Sequence, residues 1–234
     1  MRKWVHAMIL HALPSGYSAK EISRILQVTY KTAWLMCHKI RHAMGHSLVK
    51  EILTGIVRIQ PARYRRTIMP TAAYLTEWTK TVLGVAQFSR LGEIMQLRIV
   101  KVDDDQVHRR VVQPTPIQAL IKKYVDPSAP EPKIVPQDYG PERNRNLNRA
   151  ILGARTWINS MFSGGIGDKH LQAYLNQICY IFGANDHIAL FHKLLNFSAI
   201  TPRITGKELT QGIGDRRFDP AARRSRHARR WNAV

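Results

Sequence analysis

The chain has 234 residues, enough for one core or for one medium core with a small satellite, and 44% of them are hydrophobic, as in proteins that fold. Its 36 Lys and Arg against 16 Asp and Glu give a net charge of +20, an excess most simply neutralised in use by a polyanion, with nucleic acid ahead of a ribosomal or membrane-surface role. The two cysteines, Cys37 and Cys179, lie far apart in helix-like patterns, which excludes a disulfide framework and a cysteine-based zinc site and leaves both as core thiols.

The opening run MRKWVHAMILHALPSGY is basic and then apolar, but His6 and His11 interrupt it and no small-residue cleavage site follows. No apolar stretch approaches the length of a membrane span, so a cytoplasmic, nucleoid-associated protein with no membrane partner is expected. Trp4, Ala7, Met8, Leu10 and Leu13 are spaced as one face of a helix that Pro14, Ser15 and Gly16 end. Ser18 and Glu21 then form a capping box and open a second helix with Ile22, Ile25 and Leu26 inward. Gln27 and Val28 make a turn, and Thr29 caps a third helix that buries Ala33, Met36, Cys37, Ile40 and Met44. Three helices with a tight turn between the last two make a helix-turn-helix arrangement.

From Gly55 the period shortens. IVRI, VLGVAQF and EIMQLRIVKV read as three strands, and Asp103, Asp104 and Asp105 close the third as a solvated turn. TPIQALIKKYV is an amphipathic helix, DPSAPEP a Pro-rich loop and KIVPQ a short strand. Strand, strand, strand, helix, strand predicts a mixed sheet covered by helices. A polar, basic run PERNRNLNR follows, then helices over 152–158, 169–182 and 188–197. The end of the chain, with Arg216, Arg217, Arg223, Arg224, Arg226, Arg229 and Arg230, has little to bury and reads as a basic arm.

In a helix-turn-helix the start of the second helix reaches base edges while flanking cations hold phosphates. Thr29, Tyr30, Lys31, Thr32, Leu35 and His38 are expected to face outward, with Lys39, Arg41 and His42 continuing the basic side and Trp34 wedged against the following domain. Thr29, Tyr30, Lys31, Thr32, His38, Lys39 and Arg41 are therefore the candidate contacts to double-stranded DNA. His38, His42 and His46 recur every four residues, but no carboxylate or cysteine joins them, which favours phosphate contact over a metal stripe. The glycines 164, 165 and 167 lack the preceding strand and the following Lys-Ser/Thr pair of a phosphate-binding loop.

KEISRILQVTYKTAWLMCHKIRHAM resembles the helix-turn-helix segment of the ISXO-like insertion-sequence transposases, and HLQAYLNQ resembles part of that family's closing helices. GIVRIQPARY, VLGVAQ, IMQLRIVKV, IQALIKKYV and KIVPQDYG are similar in order to the strands and helix between. The resemblance spans most of residues 3–198. It implies an α/β protein in which a three-helix helix-turn-helix unit (1–48) precedes an RNase H-like mixed-sheet domain (52–205) and a basic tail (206–234). It also implies DNA transposition at transposon ends, by metal-dependent cleavage and strand transfer in which carboxylates hold two divalent ions. The family's zinc ribbon has no counterpart before Trp4.

At the positions the resemblance assigns to acids, this chain has Gln60, followed by Pro61; then Asp138; and, for the third, the neighbourhood of Gly153. Asp138 is thus the one catalytic and metal-binding candidate, with Mg²⁺ the cofactor of an active form. The alternative is a DNA-binding relic or regulator without catalysis. Homo-oligomerisation is left open by the sequence.

Overall fold

The computed structural model describes residues 2–65, 79–162, 166–184 and 186–210. The arginines expected in the basic arm and the glycines 164 and 165 lie outside these. The fold is mixed α/β, with helices packed on a mixed sheet. Residues 1–201 form one compact unit, so the expected boundary between 48 and 52 does not separate two bodies.

The N-terminal helices are α1 (Arg2–Ala12), α2 (Ala19–Ile25) and α3 (Tyr30–Lys50). Ser18 Oγ accepts from the Glu21 amide at 3.2 Å while Glu21 Oε2 accepts from the Ser18 amide at 2.7 Å, which completes the capping box. Gln27 turns the chain with a φ of 51°, and the Thr29 hydroxyl accepts from the Thr32 amide at 3.2 Å to start α3. Ile22 and Leu26 are buried, but Ile25 is exposed, because its position on this short helix points away from α3.

Helix α3 ends at Lys50, just past the expected unit, and is pinned to the sheet at its end. The buried guanidinium of Arg98, on the third strand, donates to the carbonyls of Leu48 at 3.2 Å and Glu51 at 2.9 Å. A cation there satisfies orphan carbonyls and opposes the negative end of the helix dipole.

The strands are β1 (Ile56–Arg65), β2 (Thr79–Phe88) and β3 (Ile94–Lys101), a small hairpin β4 (Val107–His108) and β5 (Val111–Val112), and β6 (Lys133–Ile134). The main sheet has the order β3-β2-β1-β6; β1, β2 and β3 are antiparallel neighbours, and β6 returns parallel to β1 after helix α4 (Pro114–Tyr124). Alternation along β1 divides the core. Val57 and Ile59 face a cluster with Leu83, Val85 and Ile117, Leu120 and Tyr124 of α4. Ala62 and Tyr64 face the larger cluster shared with α1 to α3, α5 (Arg145–Met161), α6 (Asp168–Ile181) and α7 (His187–Ile200).

A Cβ at Gly84 would come within 2.4 Å of Ile151, so glycine lets α5 approach β2 there. Helix α5 starts inside the basic run, seven residues before the expected Leu152, because the Asn144 side chain accepts from the Leu147 amide at 2.9 Å and caps it. Asp103, Asp104 and Asp105 are exposed, and Lys101 and Lys80 pair with the first two.

The second unit begins at Pro202. Its residues 206–210, expected as tail, form helix α8 (Gly206–Thr210). The Thr205 hydroxyl and the Glu208 carboxylate make a second capping box ahead of it, a T-x-x-E signal visible in the sequence.

Candidate functional site

The turn and first helical residues of α3 are laid out as the sequence implies. Thr29, Tyr30, Lys31 and Thr32 are exposed, Tyr30 at 60%, and Lys39 is half-buried one face round. Lys3 on α1 donates to the Gln27 carbonyl at 3.1 Å, which ties α1 to the turn. This end of α3 therefore presents hydroxyls, a phenol and a cation on a capped, rigid backbone.

His38 and Arg41 do not belong to that surface. Both are buried, His38 at 3% exposure and Arg41 at 0%. The His38 ring lies 4.3 Å from Trp34, 4.6 Å from His170 and 6.3 Å from Tyr174. Arg41 donates from Nε to Gln177 at 2.7 Å and places its guanidinium 3.9 Å from the centre of the Tyr174 ring. The reason is geometric: α3 packs along α6, and a straight helix turns positions 38 and 41 onto the face that carries Cys37 and Met44 inward. Trp34 reaches His170 of α6 edge-on at 5.8 Å, so it is the wedge expected of it.

Electrostatics inside this seam is severe. Burial and the Arg41 charge hold the side chains of His11 and His38 down to about 3, and burial lowers His170 as well. All three are neutral at pH 7. Burial raises the thiols of Cys37 and Cys179, the latter to about 12, so both are inert core groups.

Around Asp138 the sequence finds one residue and misses its company. The carboxylate is nearly buried, and Arg63 Nε on β1 donates to Oδ2 at 2.6 Å while Arg110 Nε donates to Oδ1 at 2.7 Å. Arg143 lies close enough for its charge to couple to Asp138 and Arg110, and it donates to the Pro61 carbonyl at 2.9 Å. Gln60 is buried and spends both ends of its amide on the backbone of Asn144: Oε1 accepts from N at 2.8 Å and Nε2 donates to O at 3.3 Å. Gly153 is exposed on α5 with open space beside it.

A divalent metal pair needs several anionic oxygens with free lone pairs. Here the one carboxylate has a guanidinium on each oxygen, the neighbouring amide is committed to the backbone, and among the described residues no three His, Cys, Asp or Glu converge. These residues do not fit Mg²⁺. The arginines could have been found from VHRRVV, where Val107-His108 and Val111-Val112 bracket two residues as in a hairpin, and from the placement of Arg63 in the last residues of the alternation along β1.

A cleft of about 360 Å³ lies between the α2 entry and the end of α5, lined by Ser18, Lys20, Glu21, Arg24, Ser160 and Met161. Ser18 and Glu21 are engaged with each other there, and Ser160 with the Trp157 carbonyl. No helix among the described residues is long and apolar enough to cross a membrane. No protein-family model, curated protein or solved structure matches the chain.

Proposed function

We propose that this protein binds duplex DNA through the turn and first residues of α3, as a transposase-like protein that occupies DNA without cutting it. The observation that carries the reading is the exposed set Thr29, Tyr30, Lys31 and Thr32 on a capped helix start, in a chain of net charge +20. The α2-turn-α3 arrangement supports a helix-turn-helix. The order β3-β2-β1-β6, with β6 parallel to β1 across a helical connection, supports reading the sheet as RNase H-like.

The non-enzymatic alternative is preferred to inherited cleavage because of Asp138. An aspartate with a guanidinium paired to each oxygen has its charge already matched and would set a metal ion beside two cations, and Gln60 adds no charge. Occupancy of an insertion sequence's ends, by a relic or a regulator, is the role such a protein keeps.

The test is binding of the purified chain to duplex DNA, compared with Lys31→Glu. Lys31→Glu should weaken binding about tenfold or more at moderate salt on every sequence, because one phosphate contact becomes a repulsion. Unchanged affinity would remove α3 from the interface. Nicking or joining of a transposon-end duplex with Mn²⁺, lost in Asp138→Ala, would restore the enzymatic reading.

A further inference from the structure

The hairpin β4–β5 is built against the preferences of its own turn. Its pairing, His108 with Val111, leaves Arg109 and Arg110 as the two central residues, with φ of 46° and 70°. Such a turn favours asparagine and glycine, since a side chain in the left-handed region meets its own backbone. Two arginines in succession there are a strained choice, and strain of this kind persists where the surroundings over-determine it.

The surroundings are specific. Asp138 takes the Arg110 Nε through Oδ1, its amide donates to the Arg110 carbonyl at 3.3 Å, and the Tyr139 ring lies 5.2 Å from the Arg110 guanidinium. The other oxygen of Asp138 takes Arg63, so one nearly buried carboxylate orients two guanidiniums at once. Each uses only its Nε. Among the described residues the terminal nitrogens of Arg63 and Arg110 make no hydrogen bond, and their side chains are 37% and 51% exposed. Arg109 is exposed at the tip, next in the chain to Arg110, and has no partner among the described residues. Arg63, Arg110 and the nearby Arg143 already outnumber the one carboxylate, and Arg109 adds a further cation at the turn, so the site carries a net positive charge.

We infer that the hairpin tip, with Arg109 at the turn beside Arg110 and with Asp138 holding Arg110 and Arg63, is a second DNA contact that grips the phosphodiester backbone. The chemistry follows from the donors. A guanidinium whose Nε is fixed has two terminal amino groups left to fork onto phosphate oxygens, and the fixing removes the rotamer entropy that an unanchored arginine would lose on contact. The role of Asp138 is then that of a positioning residue for two cations, the inverse of a metal ligand. Phosphate contacts of this type add affinity and salt dependence without reading sequence.

This inference rests on the DNA-binding reading, and the experiment separates the two. The full chain, Lys31→Glu and Arg109→Gly are titrated with one duplex of arbitrary sequence from about 50 to 200 mM salt, alongside thermal unfolding. Glycine relieves the turn, so Arg109→Gly should unfold at the same temperature or higher. It should nonetheless bind several-fold more weakly, with the salt slope reduced by about 1. Arg109→Glu, as a second variant, should weaken binding further.

If the wild-type chain binds and Lys31→Glu weakens it while both Arg109 variants match wild type, the hairpin contact is overturned and the α3 reading stands. If the Arg109 variants weaken binding and Lys31→Glu does not, the hairpin contact stands and α3 loses its role. A wild-type chain that binds no duplex overturns both.

Discussion

Arg41 carries a full charge into the core without a carboxylate to meet it. Its Nε is satisfied by Gln177 and its face by Tyr174, but both terminal nitrogens are buried without a hydrogen bond. Removing an unpaired buried charge in favour of an apolar side chain of similar length costs little or stabilises. Arg41→Met is therefore expected to leave urea stability unchanged or raise it by about 1–3 kcal/mol, and a loss of that size would show that the guanidinium is compensated. Burial, with the Arg41 charge behind it, governs acid sensitivity. His11 and His38, held at about 3 in the fold, protonate near 6.5 once unfolded. Below about 6.5 the unfolded chain binds more protons, so stability is full above that value and falls with pH down to about 3. With two groups the loss reaches roughly 2–3 kcal/mol at pH 5.5. Urea titrations at pH 7.5 and 5.5 check this, and His38→Phe should remove a part of the difference.

Helix α2 is seven residues long and would not persist by itself, so its caps matter. Ser18→Ala removes the acceptor for the Glu21 amide and should cost about 1 kcal/mol, read as a lower unfolding temperature; Ser18→Asp should keep most of it. These caps were legible in the sequence because a hydroxyl three residues before a glutamate is a local signal. So were the three long strands, a mixed sheet with helices packed on it and the core thiols, which follow from period and composition. What escaped was decided by distant partners. The inward turn of His38 and Arg41 depends on α6 lying along α3, and Gln177, which receives Arg41, is 136 residues away. The early start of α5 depends on Asn144, whose backbone is held by Gln60 from β1. The Asp138 site was half legible: the resemblance singles out the aspartate, while Arg63 and Arg110 reach it across 75 and 28 residues.

At the scale of the molecule, the long α3 joins the turn at Gln27 and Val28 to the sheet without a linker, since Arg98 anchors its end and one core cluster spans α1 to α3 and the sheet. A protein built this way holds Thr29, Tyr30, Lys31 and Thr32 at a fixed angle to the sheet, as the proposed occupancy of a duplex requires. The account also gives it no stake in divalent metals. Adding Mg²⁺ at about 10 mM should shift the unfolding temperature no more than the same ionic strength of NaCl, because a ligand stabilises only by binding the native state; a rise beyond the salt control would mean that Asp138 can be freed from its arginines. If the chain holds duplex DNA by its basic surface, as proposed, the duplex affinity of the purified full chain depends steeply on salt. A log–log slope of about −4 or steeper is expected, equivalent to at least four or five phosphate contacts, and a shallower slope on Lys31→Glu. No detectable binding at about 50 mM salt, or an affinity indifferent to salt, would contradict it.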